Sequence, residues 1–442
     1  VRTFGEVFQV PEFTPLFVTW SLNLAGLTVS GLALGVYVYT ATGSPLLAAL
    51  AMFGPSLAQI VGASFLLSAA DRVPPRAVLT LTALATGLGT LAQAIPGLPL
   101  GVIFAITLAI GLVGPLASGA RFGLMHEILP EDGFLLGRSV LNMANGVIQV
   151  CGYAIGGALV TVLSPRGTLV AGAALYLAAS AGTRLRLRSR PPRVTGRPSV
   201  RETWRVNGLL WSSVPRRYVY LALWVPNGLV VGCEALFVSY SPRHAGLMFA
   251  FTALGMLAGD TLAGRFTPPR LRERLGPWLR LLLAVPYLSF AFAPAFPLAV
   301  AAACVASVGY CASLLLQERL MTLTPHELSG HALGLQSSGM QAMQGVGAAL
   351  AGVAAQWTSP AGGIVIMALA SVAVTLLLAP GLRTGSEVST GSEVSTGSEV
   401  STGSEVSTGS EVSTVPDARP AQATHPAQGT HPATGPLADS SL

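Results

Sequence analysis

From about Phe13 to Leu382 the chain is a succession of long apolar runs, interrupted by short charged or Gly/Pro-rich breaks. A helix needs about 20 apolar residues to cross the hydrocarbon core of a bilayer. Counting runs between breaks predicts twelve spans. Their approximate limits are 14–39, 46–70, 77–95, 99–119, 139–163 and 168–187. After a break come 217–240, 244–264, 277–293, 297–317, 332–356 and 361–382. The pairs within 77–119 and 277–317 are split only by the turns Ile95-Pro96-Gly97 and Ala293-Pro294-Ala295. The pattern predicts an all-α membrane protein of twelve transmembrane helices.

Composition sharpens this reading. Hydrophobic residues make up 51% of the 442 and charged residues only 10%, where a soluble domain carries about 25%. That shortage excludes a cytosolic globular enzyme, whose surface needs charge. The net charge of +6 comes with no Lys at all: every one of the 25 basic residues is Arg. A basic balance can signal nucleic acid, but here its placement follows topology instead. If the N-terminus is cytoplasmic, 23 Arg fall on the cytoplasmic side, and only Arg166 and Arg243 on the other. That asymmetry predicts a multi-pass protein of the plasma membrane with both termini cytoplasmic. The first apolar run is expected to stay as an anchor rather than be cleaved. Cys151, Cys233, Cys304 and Cys311 lack metal-ligand spacing and read as small buried hydrophobes.

The longest internal break, 188–216, is dense in Arg and Pro and divides the spans into two sets of six. It is expected to be a solvated linker, with lipid headgroup contact as the alternative. The two sets share landmarks. Asp71-Arg72 after span 2 is matched by Gly264-Arg265 after span 8, and Gly137-Arg138 by Gly330-His331, both at an offset of 193. Equal offsets at separate landmarks predict a duplicated six-span unit and two pseudo-symmetric bundles. The expected organisation is a first bundle over 1–187, a linker over 188–216 and a second bundle over 217–382. The tail 383–442 opens with five copies of Thr-Gly-Ser-Glu-Val-Ser and contains no aromatic residue, so disorder is expected there.

These features resemble the major facilitator superfamily of secondary transporters. The segment from Val38 to Pro45, followed by a span ending in Ala70-Asp71-Arg72, is similar to its enterobactin-exporter-like branch. Asp71, Arg72 and Arg76 match that superfamily's loop motif G-x-x-x-D-R-x-G-R-R. Leu67 replaces the leading Gly, and Pro74-Pro75 the inner Gly-Arg. Arg265 keeps one position of the second copy. Gly152, Gly156 and Gly157 match the span-5 exporter motif G-P-x-x-G-G, with Tyr153 in place of Pro. The resemblance implies alternating access by two rocking bundles, with Asp71, Arg72, Arg76 and Arg265 as a cytoplasmic gate. Plain positive-inside anchoring is the other reading of Arg72 and Arg76. The glycines permit close helix approach.

Ionisable groups inside a span cost about 2.5–3.5 kcal/mol on insertion scales and are functional candidates by default. Glu234 lies in the apolar run from Val230 to Phe237, and Asp260 in span 8. Either could carry a proton or touch substrate; a structural hydrogen bond is the competing reading. Asn227, two turns before Glu234, could share its cavity. Asn23 in span 1, Asn145 and Gln149 in span 5 and Gln341 in span 11 either line a polar cavity or join helices. Arg121 and Glu318-Arg319 lie near span ends, where snorkelling or a structural ion pair is expected.

The expected function is proton-coupled export of a small organic compound or drug by alternating access. Uptake of a metabolite by the same fold is the alternative. A non-transporting sensor or an intramembrane enzyme is the reading from another class. No H-E-x-x-H or G-x-S-x-G constellation fits a span, so no enzyme is expected. The expected partners are the substrate, protons and the bilayer, with no cofactor, no nucleic acid and a monomeric state. Reporter fusions test the topology. Fusions at Arg197 and Arg383 should report cytoplasm, and fusions at Thr42 and Pro360 should not. An external signal at Arg383 would remove the twelve-span arrangement.

Overall fold

The computed structural model describes residues 4–66, 73–129, 131–191, 200–263, 269–325 and 328–394. The first half runs α1 (Phe4–Gln9), α2 (Phe13–Thr42), α3 (Pro45–Leu66), α4 (Pro75–Gln93), α5 (Leu100–Ile128) and α6 (Glu131–Arg186). Then come α7 (Val200–Ser212), α8 (Val214–Ala235), α9 (Phe237–Tyr240), α10 (Ala245–Thr261) and α11 (Pro269–Leu282). The second half closes with α12 (Phe296–Val308), α13 (Ala312–Thr322), α14 (Ser329–Trp357) and α15 (Pro360–Val394). A 3-10 segment, Val285–Phe292, extends α11, and another, Gly309–Cys311, joins α12 to α13.

These elements make the twelve crossings because the breaks fall where backbone chemistry demands them. Gly43 takes φ 66° and ends α2, its N–H returning to the Tyr39 carbonyl at 2.8 Å, and Pro45 then opens α3. Gly97, at φ 76°, turns the chain between α4 and α5. The break inside α6 is a single residue, Ser164, at φ 71° and ψ 163°. Pro165 follows it and bars Ser164 from the helical region, so the chain folds back into two arms, 131–163 and 165–186. Span 9 is not one α-helix: Pro286 lacks the N–H that would continue α11, and the last turns tighten to 3-10.

Eight helices among the described residues are long and apolar enough to cross a membrane, the folded-back α6 counting once. The 17-residue α10 is shorter, and α4 and α14 are diluted by polar residues; they complete the set. Large apolar side chains point outward along these helices. Leu81 and Leu88 on α4 and Leu377 on α15 are among those exposed, as expected of a surface solvated by lipid.

We call the end of the bundle that carries 187–213 the linker end, and the other the far end. Within the first half, α2 lies against both arms of α6. A Cβ on Gly156 would stand 3.3 Å from Val29 Cα, one on Gly152 would strike Thr28 Oγ1, and one on Gly172 would crowd Ser30. In the second half α8 meets α14 in the same way, at Gly228 with Met343 and Gly232 with Gly347. The halves join along two antiparallel seams. In the first, α3 meets α14 at Leu46 with Gly352 and Leu57 with Gly345. In the second, α6 meets α10 at Gly146 with Leu257 and Gly157 with Gly246. Partner numbers sum to about 400 in both seams (57 with 345, 146 with 257). A shift of +193 for α3 and −193 for α14 preserves that sum, so the offset between the sequence landmarks carries one seam onto the other. The fold is therefore two pseudo-symmetric bundles of six crossings. One apolar cluster bridges them: Leu32, Val36 and Ala48 from the first half, with Leu229, Phe237, Val238 and Phe249 from the second.

Two boundaries differ from the sequence reading. The linker is not featureless, because Val200–Ser212 forms α7. Val206 and Leu210 are buried against Ala332, with Met321, Leu328 and Leu335 around them. Trp211 stacks on Trp224 at 5.5 Å and on Tyr220 at 6.1 Å. The Arg-rich composition concealed the helical spacing of Val206 and Leu210. At the other end, α15 continues past Arg383 into the first repeats, to Val394, and the later repeats lie outside the described residues.

Glycine contacts of this kind have a direct test. Gly157 and Gly246 leave no room for a side chain at the far end, where a Cβ on Gly157 would stand 2.9 Å from Gly246 Cα. Gly246→Val should wedge the halves apart there. Maleimide labelling of a cysteine placed at Val160, with the native cysteines replaced, should rise several-fold. Gly208→Ala, which meets nothing within 4 Å, should leave labelling unchanged.

Candidate functional site

Glu234 ends the apolar face of α8 and is 9% exposed. Its Oε1 accepts a hydrogen bond of 2.9 Å from the Tyr310 hydroxyl. Tyr310 belongs to the 3-10 turn Gly309–Cys311, where α12 passes into α13. Tyr287 and Tyr153 lie within electrostatic range of the same carboxyl. Tyr287 comes from the span-9 segment and is fully buried. Tyr153 comes from α6, in the other half, and stacks on Phe249 at 4.9 Å. Phe237 packs on Phe249 and Tyr287, at 5.1 and 6.3 Å. A carboxyl is thus held among aromatic rings at the boundary between halves. Desolvation there costs several kcal/mol for a bare charge, so a hydroxyl donor or a proton is required.

Asn23, Asn227 and Gln341 bond, respectively, within a helix, within one half and between the halves. Asn227 is 3% exposed and accepts from Gln344 Nε2 at 3.4 Å, joining α8 to α14 inside the second half. Asn227 shares α8 with Glu234, two turns before it, and bonds to its neighbour helix. Gln341, one turn before Gln344, donates to Gln59 Oε1 at 3.2 Å and so crosses between the halves. Gln356 makes a second crossing bond at the far end, to Ser44 Oγ at 3.3 Å. Asn23 turns back on its own helix, donating to the Thr19 carbonyl at 2.9 Å. Asn145, Gln149 and Asp260 are half-buried. Asp260 lies within electrostatic range of Cys311.

A cavity of about 290 Å³ opens at the linker end, between the halves. Arg138 of α6 faces it from the first half, and Gln317 and Glu318 of α13 from the second. Glu234 does not line it. Of the expected gate, Arg76 is half-buried at the start of α4, whereas Asp71, Arg72 and Arg265 lie outside the described residues. Gly152 and Gly156 pack α6 on α2, and Gly157 packs it across the halves on α10. Arg121 forms no ion pair among the described residues; its guanidinium lies over Trp20 at 5.7 Å and Phe122 at 5.1 Å. Cys151 is exposed, unlike Cys233 and Cys311, which are buried.

Sequence reasoning passed over an ionic clasp at the linker end. Glu12 is 7% exposed, and both its oxygens accept from Arg190, at 2.7 and 2.9 Å. Arg190 also reaches Glu127 at 3.5 Å, and Arg188 reaches Glu12 at 3.8 Å. The clasp ties the root of the linker to the start of α2 and the end of α5. Its signal was faint, because 176 residues or more separate Glu12 from Arg188 and Arg190.

The sequence profile of the Major Facilitator Superfamily matches residues 16–316. The chain belongs to this superfamily. It is a multi-pass membrane protein with the transporter fold. No curated protein sequence matches it. Solved structures do. The nucleoside transporter NupG superposes with a TM-score of 0.69 at 11% identity, covering 84% of this chain and 99% of that one. A peptide transporter, POT, in complex with alafosfalin gives 0.65 at 15%, covering 88% and 99%. A bacterial homologue of the human lysosomal transporter Spinster, inward-facing and unoccupied, gives 0.61 at 14%, covering 87% and 96%. At such identities the likeness shows the fold alone.

The clasp yields a stability prediction. Hydrogen bonds to charged groups contribute about 1.5–3 kcal/mol when partly buried. Glu12→Ala should lower the melting temperature of the purified protein, whereas Arg188→Ala, at an exposed side chain, should change it little. The exchange Glu12→Arg with Arg190→Glu should recover part of the loss.

Proposed function

We propose that this protein is a proton-coupled exporter of a small organic compound, working by alternating access. The observation that carries the reading is Glu234, a carboxyl buried at the boundary of the two halves and met by the Tyr310 hydroxyl at 2.9 Å. A carboxyl so placed is stable either protonated or as an anion receiving hydrogen bonds. Rocking of the bundles changes what faces it from α6, and Tyr153 is the side chain that would move. Such a group can load a proton in one state and lose it in the other.

The remaining assignments follow from the same reading. Arg placement supports a cytoplasmic linker end and cytoplasmic termini in the plasma membrane. Asp71, Arg72, Arg76 and Arg265 serve as the cytoplasmic gate, a role supported by the loop motif. The match of Gly152, Gly156 and Gly157 to the exporter motif favours export, and with the Asp71-Arg72 context it favours the enterobactin-exporter-like branch. The functional division is a first bundle to 187, a linker to 216, a second bundle to 382 and a tail.

Glu234→Gln keeps the shape of the side chain and removes its charge. In proteoliposomes, with a panel of drugs and metabolites, it should abolish accumulation driven by a pH gradient yet keep exchange of the same compound. Unchanged gradient-driven transport would move the proton site to Asp260 or end the proton-coupled reading.

A further inference from the structure

The corner where the linker helix α7 meets α8 holds positive charge that the site around Glu234 does not use. Arg216, in the first turn of α8, is 9% exposed. Its Nη2 donates to the Leu209 carbonyl of α7 at 3.3 Å, while its buried Nε and Nη1 meet no acceptor. The buried Nε of Arg217, next in the chain, meets none either. Among the described residues no ion pair involves either side chain. The Ser212 hydroxyl donates to the same Leu209 carbonyl at 2.8 Å, and Ser213 leaves the start of α8 without a side-chain cap. The first N–H groups of a helix have no acceptor within it and favour an anion. Beside these donors the side chains of Leu209, Trp211 and Val214 are exposed. Val206 and Leu210 dock α7 on the second half, and the corner next to them stays apolar and open.

We propose that the α7–α8 corner binds the headgroup of an anionic phospholipid. Buried donors left unmet are costly, more so on a charged group. Nη2 of Arg216 carries two hydrogens, and only one is needed for Leu209. A phosphate ester takes the other together with a hydrogen of Nε or Nη1, in the fork geometry that guanidinium offers. Arg217 adds a second positive charge, so a headgroup of net negative charge is preferred to one that brings its own ammonium. The lipid's acyl chains lie along Leu209, Trp211 and Val214, and Trp favours the depth of the headgroups. The crossing that begins at Val214 puts this corner at the membrane edge. A free phosphate ion would satisfy the arginines but leave the three apolar side chains uncovered. The proposal rests on the membrane fold and is independent of proton coupling at Glu234.

The test follows the melting temperature of the purified full-length protein in dodecyl maltoside, titrated with four probes. These are dioctanoyl phosphatidylglycerol, dioctanoyl phosphatidylcholine, glycerol 3-phosphate and inorganic phosphate. Phosphatidylglycerol should raise the melting temperature and reach half its effect at a concentration about tenfold below phosphatidylcholine, the scale of one charge-assisted contact. The two phosphates without acyl chains should give no shift over the same range. Arg216→Gln should cut the preference between the lipids to about twofold or less. Arg243→Gln, at an exposed far-end arginine, should keep it. Leu209→Asn should weaken both lipids and preserve their ratio. Equal half-points for the two lipids in the unmodified protein, or a full preference surviving in Arg216→Gln, would overturn the proposal. So would loss of the preference in Arg243→Gln, or lipid binding unaltered by Leu209→Asn. A shift by inorganic phosphate as large as that by phosphatidylglycerol would assign the corner to a free anion and overturn it too. Should Arg216→Gln not fold, the lipid comparison in the unmodified protein and a lowered preference in Arg217→Gln decide.

Discussion

The structure depends on how closely helix backbones can approach in a solvent that does not drive them together. Lipid tails are as apolar as Leu, so helices in a bilayer gain little from hiding Leu against Leu. What remains is contact area, and glycine supplies it by letting backbones touch. The two seams between halves are built this way, at Gly345 and Gly352 on α14 and at Gly157 and Gly246 between α6 and α10. Contacts of this kind are shape-matched but lack strong charge pairs. Two amide bonds, Gln341 to Gln59 and Gln356 to Ser44, add direction without locking the seam. Among the described residues no buried ion pair, whose breaking would cost several kcal/mol, joins these seams.

Charge is kept away from the seams. The strongest ion pairs among the described residues, Arg190 with Glu12 and Arg190 with Glu127, fasten the linker root within the first half. The linker's own helix, α7, fastens to the second half through Val206, Leu210 and Trp211. Each described end of the linker is thus fastened to a different half. Glu234 is the exception. It is the one carboxylate among the described residues buried within a crossing helix, and it lies where an aromatic residue from the other half can reach it.

Much of this was legible in the sequence, because the bilayer imposes a length on every crossing. The turns at Gly43, Gly97 and Ser164-Pro165 fall where apolar runs break, since left-handed backbone and proline leave few alternatives. The duplication was legible as an offset of 193, and the matching registers of the two seams give that offset a geometric meaning. Partnerships were not legible. Nothing in the sequence tells Gln344 from Gln341, yet one bonds within a half and the other between halves. One turn of helix changes the neighbour, and spacing alone does not say which face looks where. The α7 helix was hidden because its apolar positions are diluted by Arg, and the Glu12 clasp because its partners are distant in the chain. Glu234 stood out since a charge in an apolar run is costly wherever it lands, but its donor, Tyr310, depends on a local change of helix type.

That change of helix type also lies between Glu234 and the linker-end cavity. Tyr310 and the cavity wall lie on one continuous run, from the 3-10 turn Gly309–Cys311 through α13. Leu314, Gln317 and Glu318 follow Tyr310 at four, seven and eight residues, the spacing of one helical face. At about 1.5 Å per residue, Glu318 is about 12 Å from the Tyr310 position along the axis. The 3-10 turn is the joint. Gly309 allows it to press against the backbone at Leu279 and Leu283, where any side chain would collide. The Tyr310 hydroxyl bonds Glu234 from this joint, and a rotation here would be carried by α13 as a rigid rod. The same rod presents Gln317 and Glu318 to the cavity. The hydroxyl donor to Glu234 and the cavity wall thus share one continuous element, with a single irregular turn at one end of it.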